Sequence, residues 1–389
     1  MMDTYLLKPG ELRLKKGNRA EFERLLRRNL KALLRGTGAS ITMTDGRFYV
    51  RAPEEDAAGV EAALGRLMGI TGWAKTRACG KTPAEVLCAC VETGRELFGQ
   101  GVRSFKIEAR RVDKRFPLDS YGIRREAGQA VREALPDLAV DVHHPQGVIE
   151  VEIRERAYVY ALERKGRRGL PVGSSGRGLL LLSGGIDSPA AGYLMFSRGM
   201  ALDAAYFHAY PYTSDEARQK VLRIAGILGP YGLGMRLFTL GFTPVQMRIK
   251  ERTPPPWSTV LLRIAMMECA EKLARQRGLK CLVTGESLAQ VASQTIENIT
   301  CTQSRLVLPV LRPLIGMDKE QITALAQSIG TYETSILPYE DCCALFSPPH
   351  PVLRGDPAEA GRLYEGLELS ALIDESLAGV VVEKCGFLV

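Results

Sequence analysis

A six-residue stretch with two glycines, two serines and one aspartate carries the residue types best suited to binding an anion. It reads SGGIDS and spans residues 183–188. Glycine lets the backbone approach a ligand closely, and free amides at the first turn of a helix attract phosphate. The stretch lacks the lysine of a Walker loop and the spacing of a dinucleotide fingerprint. It therefore predicts a phosphate site of another kind.

Two adjacent cysteines, Cys342 and Cys343, form the second candidate group. They follow an acidic pair within PYEDCCALF, residues 338–346. Such a pair can be buried filler, half of a metal site, a disulfide or a reactive sulfur, and the residues alone leave all four open. Nine cysteines at irregular spacing, without a signal sequence, argue against a disulfide scaffold. We expect mostly reduced thiols and a cytoplasmic protein.

A short strand and a helix are the elements that would position SGGIDS. GLLLL (178–182) is fully apolar, as expected of a parallel strand that is buried on both faces. Pro189 suits the first turn of the helix that follows. Strand, loop and helix in this order are typical of an open α/β sheet, in which ligands bind at the carboxyl ends of the strands. The alternative is a glycine-rich turn that only connects the strand to the helix.

The residues before this strand predict two small domains and a linker. EFERLLRRNLKALL (21–34) has helical spacing and ITMTDGRFYV (41–50) has the pattern of a hairpin. Helices are predicted in AAGVEAALGRLMGI, KTPAEVLCACVETGRELF and YGIRREAGQAVREAL, a strand in SFKIEARR, and two strands joined at residues 145–147. ERKGRRGLPVGSSGRG has no periodicity and predicts the linker. The predicted domains are residues 1–57, 58–164 and 178–389, with the linker at 165–177.

Positive charge is concentrated in the first part of the chain. The net charge is +8; residues 1–168 hold 32 Lys and Arg against 23 Asp and Glu, and the remainder holds 20 against 21. In SFKIEARR, Phe105 and Ile107 alternate with Lys106 and Arg110, so one face of the strand should be basic. This distribution favours a nucleic acid partner over a merely solvated surface. No stretch approaches the roughly eighteen apolar residues of a membrane span, so no membrane partner is expected.

Several segments of the second half, in this order, carry a resemblance to a known family. SGGIDS resembles the pyrophosphatase loop of the adenine-nucleotide alpha-hydrolases. Together with TGESLAQVASQTIENI, RPLIGMDKEQI and SILPYEDCCALFSP, it resembles the tRNA 4-thiouridine synthetases, a family of tRNA sulfurtransferases. The resemblance implies an α/β multidomain fold with a small α+β ferredoxin-like leader domain, a THUMP RNA-binding domain and a PP-loop ATP pyrophosphatase domain with a doubly wound parallel sheet.

The same resemblance implies a reaction and its site residues. ATP would adenylate the C4 oxygen of uridine 8 of tRNA, and sulfur would then replace that oxygen, with AMP and pyrophosphate released. Asp187 would help place Mg²⁺ on the pyrophosphate. Lys319 would stabilise developing negative charge, unless it is only a surface lysine, and Arg263 would contact the nucleotide, unless it is a structural cation. The implied ATP-binding residues are Leu181, Leu182, Ser183, Gly184, Gly185, Asp187, Ser188, Tyr206, Phe207, Arg263, Gly285 and Gln294.

The cysteine pair would carry the sulfur as a persulfide. The resemblance leaves the carrier at Cys343 or Cys342, with Cys343 favoured, and the resolving thiol at the neighbouring cysteine or at Cys385. Only about forty residues follow the pair, too few for the rhodanese domain of longer relatives, which puts a thiamine role in doubt. No structural metal is predicted. The cysteines expected in the core are Cys88, Cys90, Cys269 and Cys281.

The implied partners are tRNA, a cysteine desulfurase as sulfur donor and a second copy of the chain. A sulfur carrier protein joins them if the thiamine branch operates. RNA contacts are predicted at Lys106, Arg110, Arg111, Lys114 and Arg115. ATP and Mg²⁺ are the predicted cofactors. An amide-forming synthetase would not need the cysteine pair, other tRNA thiolases usually carry CxxC pairs that this sequence lacks, and an inactive RNA-binding protein would not be expected to keep SGGIDS intact.

Overall fold

The computed structural model describes residues 2–14, 17–44, 46–339 and 348–386. The chain divides into two compact units, Met1–Gly169 and Leu170–Val389. Their boundary falls within the predicted linker. Parts of this linker are ordered by hydrogen bonds, since Lys165 ends a strand of the first unit and the Leu170 amide donates to Ser197 O at 2.9 Å in the second.

The described part of the first unit contains ten strands and four α-helices. The strands are β1 (Met2–Pro9), β2 (Ser40–Thr44), β3 (Arg47–Pro53), β4 (Ile70–Lys75), β5 (Arg77–Cys79), β6 (Ser104–Arg111), β7 (Ala139–Val140), β8 (Gly147–Ile153), β9 (Ala157–Tyr160) and β10 (Arg164–Lys165). The helices are α1 (Arg19–Leu33), α2 (Ala57–Leu64), α3 (Pro83–Gly99) and α4 (Ser120–Ala134).

The first sheet of this unit is antiparallel, with the strand order β10-β4-β1-β3-β2. The predicted hairpin is confirmed, since β2 pairs with β3 and places Thr44 opposite Arg47. The sheet does not end at the predicted boundary, residue 57. β1 pairs on its other side with β4, which places Ala74 opposite Leu6. The leader domain therefore needs a strand that follows α2, and the sequence prediction omitted this strand.

The second sheet of the first unit has the order β5-β9-β8-β6-β7. Phe105 and Ile107 of β6 are buried in a core with α3 and α4, as their alternation predicts. The strands predicted to join at residues 145–147 do not pair with each other, because β7 and β8 flank β6 on opposite sides and both run parallel to it. The predicted helix α3 begins after a capping residue, Thr82, whose Oγ accepts from the Glu85 amide at 3.3 Å.

A buried ionic cluster joins the two sheets. Glu152 of β8 accepts from Arg47 Nη2 of β3 at 2.8 Å and from Arg154 Nε at 2.6 Å, and all three residues are buried. Nearby, Tyr49 stacks on Tyr158 with ring centroids 4.4 Å apart. Because each buried ion loses its hydration, such charges persist only when they are paired and hydrogen-bonded. The cluster therefore fixes β3 against β8.

The described part of the second unit contains six strands and nine α-helices. The strands are β11 (Arg177–Leu181), β12 (Ala201–His208), β13 (Met235–Gly241), β14 (Leu282–Val283), β15 (Val310–Leu311) and β16 (Val381–Cys385). The helices are α5 (Asp187–Ser197), α6 (Asp215–Leu228), α7 (Thr243–Arg252), α8 (Ser258–Gln276), α9 (Ile296–Gln303), α10 (Lys319–Ser328), α11 (Tyr332–Ser335), α12 (Pro357–Glu365) and α13 (Ser370–Ala378).

The sheet of the second unit has the order β15-β14-β11-β12-β13-β16, and only β16 runs antiparallel to its neighbour. Helices cover both faces. Leu179 of β11 packs into the cluster that includes α8, whereas Leu180 lies against Gly192 of α5. Alternate residues of one strand are thus buried on opposite sides, as the continuous apolar run GLLLL predicts. Among the described residues, no helix is long and apolar enough to cross a membrane.

Candidate active site

The loops after β11 and β14 meet where the strand order reverses. From β11 the chain proceeds to β12 and β13 on one side and later to β14 and β15 on the other. Such a switch point opens a crevice at the carboxyl ends of the strands. SGGIDS follows β11, and TGES, residues 284–287, follows β14. Both motifs therefore lie at the edge of the sheet where a ligand is expected to bind.

Two serines close the SGGIDS loop on itself. The Ser183 amide donates to Ser188 Oγ at 2.9 Å, and the two hydroxyl oxygens lie 3.1 Å apart. The Gly185 amide points at Ser183 Oγ, 3.4 Å away. The loop leads directly into α5, whose first turn is capped by no side chain. Uncapped amides at a helix start, together with the helix dipole, can hold an anion such as phosphate.

Gly285 is pressed against the start of α5. A Cβ atom at this position would lie 2.7 Å from the Ser188 amide nitrogen and 2.8 Å from the carbonyl carbon of Asp187. Such distances exclude any side chain unless the backbone moves. The backbone at Gly285 therefore lies directly against the SGGIDS loop. Packing of the two loops fixes the position from which Asp187 projects.

Asp187 and Lys319 form an ion pair at the mouth of the crevice. Lys319 Nζ lies 2.9 Å from Asp187 Oδ1, although the residues are 132 positions apart. Asp187 Oδ2 accepts a second hydrogen bond from Gln290 Nε2 at 2.9 Å. Lys319 is the first residue of α10, which Asp318 and Gln321 cap reciprocally. The structure thus brings together the two residues that the sequence singled out for charge handling and adds Gln290, which it did not.

A cavity of about 220 Å³ opens beside this pair. Nine of the twelve residues predicted to bind a nucleotide line it. Leu182, Gly184 and Gly185 do not: Leu182 is buried behind β11, and the two glycines belong to the loop. The full lining consists of Leu181, Ser183, Asp187, Ser188, Tyr206, Phe207, Arg263, Met266, Met267, Thr284, Gly285, Glu286 and Gln294.

Gln294 presents an acceptor to this cavity. Its side chain is buried, and Oε1 has no hydrogen-bond partner among the described residues. An unpaired buried acceptor costs free energy unless a ligand or water satisfies it. Met266 and Met267 supply apolar surface from α8. Polar atoms beside apolar surface suit a ligand with both a planar ring and hydrogen-bonding groups.

Glu286 holds two arginines at the back of the cavity. Its Oε1 accepts from Arg263 Nη2, and its Oε2 accepts from Arg312 Nε at 2.7 Å and from Thr284 Oγ1 at 2.8 Å. Burial alone would raise the pKa of Glu286, but the charges of Arg263 and Arg312 hold that pKa below its usual value. The sequence analysis missed Glu286, although an acidic residue so soon after a fully apolar strand was a visible signal.

The residues at the loop fit a magnesium ion that also binds phosphate. Mg²⁺ keeps several waters and takes one or two carboxylates together with substrate phosphate oxygens. Asp187 is a carboxylate at this loop, and each of its oxygens has a further lone pair beside the one that accepts from Lys319 or Gln290. Among residues that the structure describes, no group of three or more His, Cys, Asp or Glu could hold a metal by itself.

The predicted sulfur carriers, Cys342 and Cys343, lie outside the described residues. Cys90, Cys269 and Cys281 are buried, as predicted, but Cys88 is exposed on α3, so its assignment to the core is wrong. Burial raises the pKa of Cys385 in β16 to about 11. A thiol with such a pKa is almost entirely protonated near neutrality, so Cys385 is unsuited to resolve a persulfide.

The five basic residues predicted to bind RNA differ in how far their charges are already paired. Lys106 lies 3.0 Å from Glu108, and Arg115 forms a bidentate pair with Asp113. The bonds from Arg115 and Lys81 hold the pKa of Asp113 well below its usual range. Arg111 donates to the Phe116 carbonyl at 3.1 Å. The other two, Arg110 and Lys114, are exposed and form no ion pair within the described residues.

Three family models match successive parts of the chain. The ThiI ferredoxin-like domain matches residues 4–74, the THUMP domain 84–162, and the thiamine biosynthesis protein (ThiI) family 173–369. A protein of Treponema pallidum (strain Nichols) named as a tRNA sulfurtransferase is 50% identical over 376 residues, which cover 96% of this chain and 93% of that protein.

The chain belongs to the tRNA sulfurtransferase family.

A second tRNA sulfurtransferase, from Caldanaerobacter subterraneus subsp. tengcongensis, is 43% identical over 375 residues, or 96% of this chain and 98% of its own. The crystal structure of a 4-thiouridine synthetase in complex with RNA and with bound ATP superimposes with a TM-score of 0.92 at 34% identity, covering 99% of this chain and all of that one. The predicted family and the predicted three-part fold are confirmed. The leader match ends at residue 74, in agreement with the sheet that includes β4.

Proposed function

We propose that the protein is an ATP-dependent tRNA sulfurtransferase that forms 4-thiouridine at position 8 of tRNA. The observation that carries this proposal is the ion pair of Asp187 and Lys319 at the SGGIDS loop, beside a cavity lined by Arg263 and Gln294. Family membership and the ATP and RNA bound by the related synthetase support the same ligands here. The basic excess of residues 1–168 supports a polyanionic partner.

In this proposal the cavity holds the adenosine of ATP and the loop holds its phosphates. Tyr206, Phe207 and Met266 would contact the purine, and Gln294 Oε1 would accept a hydrogen bond from a nucleoside donor. The amides at the start of α5 would face the β and γ phosphates. Asp187 would hold Mg²⁺, which neutralises phosphate charge and favours departure of pyrophosphate.

The first chemical step would be adenylation of the uridine. The C4 oxygen attacks the α phosphorus of ATP, the bond from this phosphorus to the bridging oxygen breaks, and pyrophosphate leaves with the electron pair. Lys319 lies beside Asp187, where negative charge grows on the leaving phosphates. A fixed cation at that point stabilises the transition state more than the ground state. The step turns a poor leaving group on C4 into AMP.

The second step would bring sulfur from a persulfide on Cys343 or Cys342. The terminal sulfur attacks C4 and expels AMP, which leaves a C4–S–S–Cys linkage. A second thiol then attacks the cysteine sulfur, forms a disulfide with it and releases the thiocarbonyl of 4-thiouridine. A reductant afterwards restores both thiols. The donor of the persulfide would be a cysteine desulfurase.

The segment that leads to the cysteine pair lies on the same face of the sheet as α5, the helix that follows the SGGIDS loop. α10, which carries Lys319, packs on α5, and α11 packs on α6. Lys220 of α6 is buried and donates to Leu337 O at 2.7 Å. The chain is therefore held on this side up to a point five residues before Cys342. This placement supports delivery of sulfur to the edge where Asp187 lies.

Further partners follow from the same proposal. The enzyme would work in the cytoplasm, where tRNA and the desulfurase are found, and two copies of the chain would form a homodimer. Sulfur delivery to a carrier protein for thiamine thiazole synthesis is the less direct branch. RNA would contact the first unit at Arg110 and Lys114 before the other three predicted basic residues, because intramolecular partners already engage those three.

Separation of the two steps tests this proposal. The full chain is mixed with unmodified tRNA, Mg²⁺ and ATP labelled at the α phosphate, and AMP is counted with and without a desulfurase and cysteine. Asp187→Ala should abolish tRNA-dependent release of AMP and pyrophosphate. Cys343→Ser together with Cys342→Ser should allow the adenylated tRNA to form but yield no thiolated nucleoside. A double cysteine variant that also fails to adenylate would assign the pair a structural role instead.

A further inference from the structure

One carboxylate serves two guanidinium groups at the back of the cavity. Glu286 is 2% exposed, and its two oxygens are divided between Arg263 of α8 and Arg312, which follows β15. Thr284 Oγ1 donates to the same oxygen as Arg312. These three groups come from separate segments of the chain. Glu286, in the segment after β14, therefore bonds to both α8 and the segment after β15.

The ion pairs of Glu286 are directly connected to the ligand site. Arg263 and Glu286 both line the cavity, whereas Arg312 does not. Two guanidiniums against one carboxylate leave a net charge of +1 behind the cavity that would receive a polyanionic nucleotide. A guanidinium is planar and useful only when its donors point in the right direction, so a carboxylate that fixes its plane also fixes what it can contact.

We propose that Glu286 is a positioning residue that orients Arg263 and thereby sets the affinity of the cavity for ATP. This inference rests on the proposed nucleotide site. Glu286 itself need not touch ATP. Its carboxylate accepts from Nη2 of Arg263 and so fixes the plane of a guanidinium whose residue lines the cavity.

Replacing Glu286 with glutamine tests the orientation with almost no change in volume. Glutamine has one acceptor oxygen where glutamate has two, and its NH₂ group would face one guanidinium donor to donor. One of the two arginines must then turn away. We expect the dissociation constant of ATP, measured by calorimetry on the full chain, to rise roughly tenfold or more, as for loss of one hydrogen bond to a charged group.

A double-mutant comparison separates positioning from a general loss of structure. If Glu286 acts through Arg263, then Glu286→Gln should weaken ATP binding in the wild-type background but not further in an Arg263→Ala background. Glu271→Gln is the matched control. Glu271 is also a buried carboxylate of the second unit, but it accepts from the Val307 and Leu308 amides at 2.9 and 2.6 Å and lies outside the cavity. Its replacement should leave the dissociation constant unchanged.

The possible outcomes are distinct. Equal ATP affinity for wild type and Glu286→Gln, or equal weakening in both backgrounds, would overturn the inference. If Glu286→Gln does not fold, Glu286→Asp keeps the charge but shortens the side chain, and it should weaken binding only when Arg263 is present. A wild-type chain that binds no ATP would instead contradict the proposed function.

Discussion

At the residue scale, the site depends on side chains that are distant in sequence and adjacent in space. The family resemblance singled out Asp187, Arg263 and Lys319 as site residues. Of their partners, Gln290 gave no signal of its own, and the position of Glu286 shortly after an apolar strand gave one that was overlooked. Which glutamine or glutamate reaches which cation depends on how the loops after β11 and β14 meet. The sequence therefore indicated Arg263, Lys319 and the SGGIDS loop better than it indicated the side chains that orient them.

Removal of the Lys319 ammonium tests its role in charge stabilisation. Lys319→Met should slow tRNA-dependent AMP release by on the order of a hundredfold, the usual effect of losing one preorganised donor to a developing charge. ATP binding should change much less, because the charge on the leaving phosphates grows only during reaction. Lys272→Met is the control, since Lys272 pairs with Asp374 at 3.0 Å on the surface. Equal rates of AMP release for Lys319→Met and wild type would show that Lys319 is a surface lysine with no role in charge stabilisation.

Gly285 offers a second residue-scale test. Gly285→Ala would place a Cβ within 2.8 Å of three backbone atoms of the SGGIDS loop. The loop must shift, at a cost of roughly 1 to 3 kcal/mol, and ATP affinity should fall by about tenfold or more. Gly226→Ala in α6 is the control, because nothing lies within 4 Å of its Cβ and alanine favours a helix. Calorimetric ATP binding and thermal unfolding of both variants decide the matter.

At the element scale, local patterns predicted single elements better than pairings. The hairpin of β2 and β3, the capped start of α3 and the buried strand β11 follow from turn, cap and apolar signals within a few residues. β4 was missed because it belongs to a sheet whose other strands lie far away in sequence. The join at residues 145–147 does connect two strands, β7 and β8, but the alternation of β8 does not reveal that β6 lies between them.

The ionic cluster that joins β3 to β8 predicts a pH dependence of stability. Burial raises the pKa of Glu152, but Arg47 and Arg154 outweigh this and lower it from 4.5 to about 2. A carboxylate with a lowered folded pKa stabilises the fold above its unfolded pKa and loses that contribution as the pH falls toward the folded value. The free energy of unfolding should therefore drop between about pH 4.5 and pH 2 more steeply in wild type than in Glu152→Gln.

The same variant has a second expected effect at neutral pH. Glu152→Gln removes the carboxylate charge that both buried guanidiniums contact and should lower the free energy of unfolding by roughly 3 to 5 kcal/mol. Glu92→Gln is the control, because Glu92 pairs with Arg95 on the exposed side of α3 and should cost less than about 1 kcal/mol. Urea titrations at several pH values measure both quantities. If the free energy of unfolding changes equally with pH in wild type and in Glu152→Gln, the cluster does not cause this pH dependence.

At the scale of the whole molecule, charge and chemistry are divided between the two units. The basic excess lies in residues 1–168, and the SGGIDS loop with its cavity lies in the second unit. The sequence alone indicated this division, because neither a count of charges nor the SGGIDS motif depends on knowing which residues are in contact. The tertiary fold adds which basic side chains remain available, since neighbouring acids and carbonyls already engage Lys106, Arg111 and Arg115.

RNA binding can be tested through its salt dependence. Replacing Arg110 and Lys114 by glutamine should weaken tRNA binding, and the slope of log K against log salt should shrink by about 0.7 to 0.9 per lost phosphate contact. Filter binding of tRNA to the full chain over a range of KCl measures the slope. Arg95→Gln is the control, as Arg95 is exposed in the same unit but paired with Glu92. An unchanged slope for the double variant would place the RNA elsewhere.

The proposed function requires that ATP cleavage at the SGGIDS loop drives sulfur into tRNA. The full chain is incubated with unmodified tRNA, ATP, Mg²⁺, a cysteine desulfurase and cysteine labelled with ³⁵S, and the digested nucleosides are separated and counted. We predict ³⁵S in 4-thiouridine from position 8, with AMP and pyrophosphate released in equal amounts, and no label when Asp187→Ala replaces wild type. Wild-type protein that releases no AMP, or that leaves the tRNA unlabelled, would contradict the claim.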